Sequence, residues 1–173
     1  MKRTLIVIDM QNDFIDGSLG TKEAQAIVPN VKKKIEEYKT RGDEIIFTQD
    51  THFNNYVLTN EGKHLPVVHC ILDSYGWQIA DELNTITDDY LHVDYIHKQT
   101  FGFNDWEEYN LKEVELVGLC TDICVVSNAL ILKAIYPEIN ITVDASCCAG
   151  VTPESHKAAL TTMKMCQINV IGE

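Results

Sequence analysis

The sequence predicts a doubly wound α/β fold, with a mostly parallel sheet covered by helices on both faces, and three observations predict it. Short, nearly uninterrupted apolar runs recur along the chain, the pattern of strands buried on both sides. Segments of helical periodicity alternate with them, as right-handed βαβ crossovers require. The chain has 173 residues, 45% of them hydrophobic, enough for one core without staples, so residues 1–173 read as a single domain.

The first strand is Leu5 to Ile8, an apolar run that stops at Asp9 and is too short for a signal core or a membrane span. Ala24 to Thr40 reads as an amphipathic helix and Ile45 to Thr48 as the second strand. Asp50 to Tyr75 is irregular and rich in His, Asn and Gly. In open α/β sheets such loops beyond strand ends carry the ligand site. Gly76 to Leu83 reads as a short helix, followed by strands at Leu91 to Ile96 and Glu115 to Leu119. Asp122 to Ile135 is a mostly buried helix that Thr121 or Asp122 can cap. Ile141 to Val143 is the next strand. The helix Pro153 to Cys166 has a cap in Thr152 and a proline in its first turn, and Ile168 to Ile171 closes the sheet.

Fourteen Lys and Arg against 26 Asp and Glu give a formal charge of −12, which disfavours nucleic acid and anionic membranes as partners. A neutral or cationic small molecule, or a metal, suits this balance better. The six cysteines come without a secretory leader and read as reduced thiols in the cytoplasm.

Four groups of residues carry possible chemistry. Asp9 ends a buried strand, where a carboxylate is a general base if a thiol or cation neighbours it and otherwise only caps the loop. Cys124, in VGLCTDICVVSNAL, falls in the first turn of a helix just after a strand; free N–H groups there favour a thiolate and a developing oxyanion. The plainer role, a small buried hydrophobe, suits Cys120, Cys147, Cys148 and Cys166. Lys98 lies just past a strand and would lower a neighbouring thiol's pKa, though a lone lysine is more often surface. Asp50 and His52 leave the same face of an extended chain, and with Glu61, His64 and His69 they offer donors suited to Zn, Mn or Fe(II).

Taken together, LIVIDMQNDF, DTH at Asp50 to His52, HC at His69 and Cys70, KQTFGFN and GLCTDICV resemble the isochorismatase-like cysteine hydrolases, and within them the nicotinamidases. The resemblance spans nearly the whole chain. It implies a triad of Asp9, Lys98 and Cys124, in which the aspartate takes the thiol proton, the lysine stabilises the ion pair and the thiolate attacks an amide. It implies a cis peptide before Cys120, with the N–H groups of Cys120 and Cys124 as the oxyanion hole. One divalent ion, zinc before manganese or iron, would be held by Asp50, His52 and His69, with Glu61 as fourth ligand and His64 its competitor. Phe14 and Phe103 would flank the substrate ring. The resemblance further implies a dimer or tetramer and NAD salvage. Related metal-independent carbamoyl or ureido amidases, isochorismatases, and a non-catalytic binding protein are the alternatives.

Overall fold

The computed structural model describes residues 2–173. Six strands, β1 (Thr4–Ile8), β2 (Glu44–Asp50), β3 (Val93–Lys98), β4 (Glu113–Leu119), β5 (Asn140–Ala149) and β6 (Asn169–Ile171), form one sheet in the order β3-β2-β1-β4-β5-β6. Every pairing is parallel. The fold is therefore doubly wound, as the sequence predicts.

Alternation along β1 assigns the two layers. Leu5 and Val7 pack with Ile27, Val31 and Ile35 of the long helix α2 (Lys22–Arg41), counting the short Asn12–Ile15 as α1. Ile6 and Ile8 face the other way, towards two later helices: Ala129 and Leu132 belong to α5 (Val126–Ile135), and Leu160 and Met163 to α6 (Pro153–Met165), after the short α3 (Asn60–His64) and α4 (Asp81–Asn84). Helix α2 starts where Thr21 accepts from the Ala24 N–H and ends at Gly42 in the left-handed region. Thr152 caps α6 and Pro153 opens it, as expected.

Several elements differ from the sequence reading. Leu91 is 93% exposed and precedes β3 instead of starting it. The first half of Gly76 to Leu83 is turn, because Ile79 makes an antiparallel bridge to Gln11 and only Asp81–Asn84 is helical. Thr121–Val125 is a π-helical turn with no side-chain cap, ahead of α5.

The order of strands reverses between β1 and β4, and this is the crevice where open α/β sheets bind ligands. Gly118 of β4 permits a close approach there: its φ is +115°, and an added Cβ would collide with the carbonyl of Ile8.

Candidate active site

Four strand ends converge at this switch point. Asp9 follows β1, Asp50 and Lys98 end β2 and β3, and Cys120 to Cys124 follow β4. Asp9 takes a left-handed φ of 47°, a conformation Asp tolerates better than most side chains, and is fully buried. Thr48 Oγ1 donates to its Oδ1 at 2.6 Å. Lys98 Nζ forms an ion pair with Asp9 Oδ2 at 2.6 Å and lies 3.6 Å from Cys124 Sγ. The structure thus brings Asp9, Lys98 and Cys124 together in a space closed to solvent, with none of the three more than 4% exposed.

Charge explains how this trio holds its protons. Burial, then the neighbouring Asp9 carboxylate, pushes the Cys124 thiol well above its ordinary value, with Lys98 pulling the other way. Burial also raises Asp9, against the pull of Lys98. A proton moving from Sγ to the Asp9 carboxylate leaves one anion beside one cation, whereas its loss to solvent would leave two buried anions. Internal transfer is the route this arrangement favours.

Alongside lies a second cluster. Ligand atoms of Asp50, His52, Glu61 and His69 all fall within 4.8 Å of one another. Asp50 Oδ2 is 3.0 Å from His52 Nε2 and 3.6 Å from His69 Nε2, and Glu61 Oε1 is 3.6 and 3.7 Å from the same two nitrogens. His69 Nδ1 donates to the Val67 carbonyl at 2.8 Å, which turns the Nε2 lone pair into the cluster. Asp50 Oδ1 is buried without a hydrogen-bond partner. Asp50 Oδ1 instead lies 3.6 Å from Lys98 Nζ, and the two imidazoles and two carboxylates of the cluster fit a divalent cation. His64 is exposed and donates through Nδ1 to the Asn60 carbonyl on its own turn, so Glu61 is the fourth donor of the cluster.

The residues after Asp9 hold this cluster in place, which sequence reasoning missed. Gln11 clamps the Asp50 backbone from both sides: its Oε1 accepts from Asp50 N–H at 2.7 Å and its Nε2 donates to Asp50 O at 2.8 Å. Asn12 Nδ2 donates to the Tyr75 carbonyl, and Asp13 Oδ2 accepts from the Cys70 N–H at 2.8 Å.

Both clusters open onto one cavity of about 240 Å³, whose walls include Phe14, Leu65, His69, Cys120, Ile123 and Cys124. Phe14 lies 5.5 Å from the His69 ring, centroid to centroid. Phe103 is not in this wall. Its N–H is held by Asn128 Oδ1 and its ring packs edge-on against Trp106, inside the second core layer, so Leu65 and Ile123 take the place expected for it.

The peptide between Leu119 and Cys120 is cis. In the turn that follows, the N–H groups of Ile123 and Val125 both donate to the Cys120 carbonyl at 3.1 Å, and the Cys124 N–H between them does not. Neither Thr121 nor Asp122 caps: the Asp122 carboxylate accepts from Val151 N–H, and Thr121 Oγ1 is paired with His156.

Fold and site together define a hydrolase of the doubly wound α/β class. The chain belongs to the isochorismatase family, whose domain profile matches residues 3–172. It is 26% identical over 194 residues to the nicotinamidase of Escherichia coli, covering 94% of this chain and 90% of that one. It is 30% identical over 176 residues to an Arabidopsis thaliana protein named a "probable inactive nicotinamidase", covering 92% and 87%. The crystal structure of a Pyrococcus horikoshii pyrazinamidase in complex with zinc superimposes with a TM-score of 0.84 over the full length of both chains, at 25% identity.

Proposed function

We propose that this hydrolase is a nicotinamidase, converting nicotinamide and water to nicotinate and ammonia through a thioester on Cys124. One observation carries the reading: Cys124, backed by Asp9 and Lys98, lines the same cavity as Asp50, Glu61 and His69 of the four-donor cluster. Asp9 takes the thiol proton as Sγ attacks the carboxamide carbon, and Lys98 balances the charge in either state. The N–H groups of Cys120 and Cys124 receive the oxyanion. Asp9 returns the proton to the departing nitrogen, ammonia leaves, and water then cleaves the thioester, regenerating the thiol. Asp50, His52, Glu61 and His69 would hold one divalent ion, zinc first and manganese or iron next. When bound, that ion supplies a Lewis-acidic anchor for the ring nitrogen. Phe14 flanks the ring.

With this reading come a cytoplasmic setting and NAD salvage. A homo-oligomer is also expected, supported by exposed Phe53, Val57, Leu58, Val68 and Tyr75 in one segment, and sedimentation reads it directly. The decisive experiment is ammonia release from nicotinamide, with and without added divalent metal, against Cys124→Ala. The expected result is release that needs both the cysteine and the metal. No release from nicotinamide, with Cys124 reactive, would point to other amides such as carbamoyl or ureido compounds, and a Cys124 inert to thiol reagents would leave a binding protein on the same fold.

A further inference from the structure

The turn that carries Cys124 has no cap of its own and is held from outside. Asp122 places both carboxylate oxygens 3.1 Å from the Val151 N–H. Thr121 is fully buried, and its Oγ1 lies 2.8 Å from Nδ1 of His156, on the first turns of α6. Gly150 packs directly against that histidine: an added Cβ would stand 2.9 Å from His156 Cβ. Gly150 and Val151 also form part of the cavity wall beside Cys120 and Cys124. The nucleophile turn, the wall and α6 are therefore joined by side chains to which no role has so far been given.

We propose that His156 is a positioning residue for the nucleophile: through the Thr121 hydroxyl it fixes the turn of Cys120 to Cys124, and with it the N–H groups that face the reacting carbonyl. This rests on Cys124 as the nucleophile, not on the identity of the amide. In a neutral ring protonated on Nε2, Nδ1 accepts from the Thr121 hydroxyl. In an imidazolium, Nδ1 can only donate, and the hydroxyl proton loses its acceptor inside the core. Burial holds His156 below its ordinary value, helped by Lys157 on its own helix and opposed by the carboxylates of Asp122 and Glu173. Glu23 of α2 lines the same outer pocket as His156. The neutral form, the only one in which Nδ1 can accept, therefore holds at neutral pH.

The test uses His156→Phe, His156→Asn, Thr121→Val and the double variant of His156→Phe with Thr121→Val. His156→Phe and Thr121→Val should each lower kcat about fivefold to tenfold, the worth of one buried hydrogen bond, with KM changed less than about twofold. The double variant should be no slower than either single, because both remove the same bond. His156→Asn, whose amide oxygen can accept from Thr121, should recover most of kcat and lose the acid limb that protonation of His156 gives the parent protein.

Peptide-resolved alkylation of Cys124 by iodoacetamide, followed across pH in the same proteins, supplies a readout that needs no substrate. It should slow in step with kcat, so it still reports if nicotinamide proves not to be hydrolysed. If His156→Phe fails to fold, Thr121→Val and His156→Asn carry the comparison. Additive losses in the double variant, or a lowered melting temperature with unchanged alkylation, would overturn the proposal.

Discussion

Lys98 decides the charge balance of the site, 2.6 Å from Asp9 and 3.6 Å from Asp50. Burial alone would lower its pKa, but Asp9 first, then Cys124 and Asp50, more than reverse this and keep it cationic. Lys98→Ala removes the cation that opposes the rise of the Cys124 thiol. The expected outcome is alkylation of Cys124 displaced to higher pH and kcat lower by about 10²–10⁴; an unshifted alkylation profile would take Lys98 out of the triad. A second residue-scale prediction concerns His52. Burial disfavours its cation, yet hydrogen bonds to Asp50 and Glu61 outweigh this and raise it to about 9. Its folded pKa is raised, so the stability this pairing adds to the metal-free protein is present below the ordinary histidine range and lost as pH rises through about 9. A metal ligand must be neutral, so affinity for zinc should climb about tenfold per pH unit towards that value and then level, as competition with a chelator would show. A flat profile would mean His52 is not a ligand. The strand-end positions of Asp9 and Cys124 were legible in sequence because strand-then-turn is a local pattern, while their pairing came only with the family resemblance. Gln11 and Asp13 were not, since their partners stand 39 and 57 residues away and are backbone groups with no sequence signature. Phe103 misled because an aromatic near Lys98 looks the same whether it faces the cavity or the core.

At the level of elements, the end of β1 does more than deliver Asp9. Asp50 pairs with Lys98 of β3 on one side, and Gln11 supplies the partner that β1 no longer provides on the other, so fixing a cluster residue without touching the cavity. Gln11→Ala should lower zinc affinity about 10- to 100-fold with the fold retained. Calorimetric titration and circular dichroism would separate the two effects, and unchanged affinity would show that the clamp is dispensable. The strands and the long helices were legible because periodicity survives wherever burial is uniform. It fails where polar residues serve another element. β5 reads as Ile141 to Val143 but runs to Ala149, because Asp144 interrupts its apolar run in order to meet Lys34 of α2. The π-helical turn escaped for a related reason: Thr121 and Asp122 are typical capping residues, and here they bond to α6 and the loop before it.

Across the whole molecule, the same Lys34 ties α2 to the sheet, 2.7 Å from Glu115 of β4 and 2.9 Å from Asp144 of β5, with Tyr38 donating to Glu115. Burial alone would raise the Asp144 carboxyl, but hydrogen bonds from Lys34 and Ser146 outweigh it and hold the group below its ordinary value of 3.8. A depressed folded pKa means the pair stabilises above that value and stops doing so as pH falls through the lower, folded one. Lys34→Ala leaves two largely buried carboxylates without their cation, though Tyr38 and Ser146 still donate to them, and should cost about 3 kcal/mol at neutral pH, less as pH drops below about 4. Urea unfolding at the two pH values measures this, and an equal loss at both would exclude the charge pair as its cause. The class of fold was legible at this scale, but the switch point was not, because strand order leaves no mark on any single strand.

The five residues from Asp9 to Asp13 carry one further consequence. The carboxylate proposed as proton acceptor stands at one end of this short stretch, and the fastenings of the four-donor cluster occupy the other. The proposed proton acceptor and the atoms that would grip a ring are thus joined by four peptide links and the hydrogen bonds of Gln11 and Asp13, so that a substitution at the end of β1 would reach both.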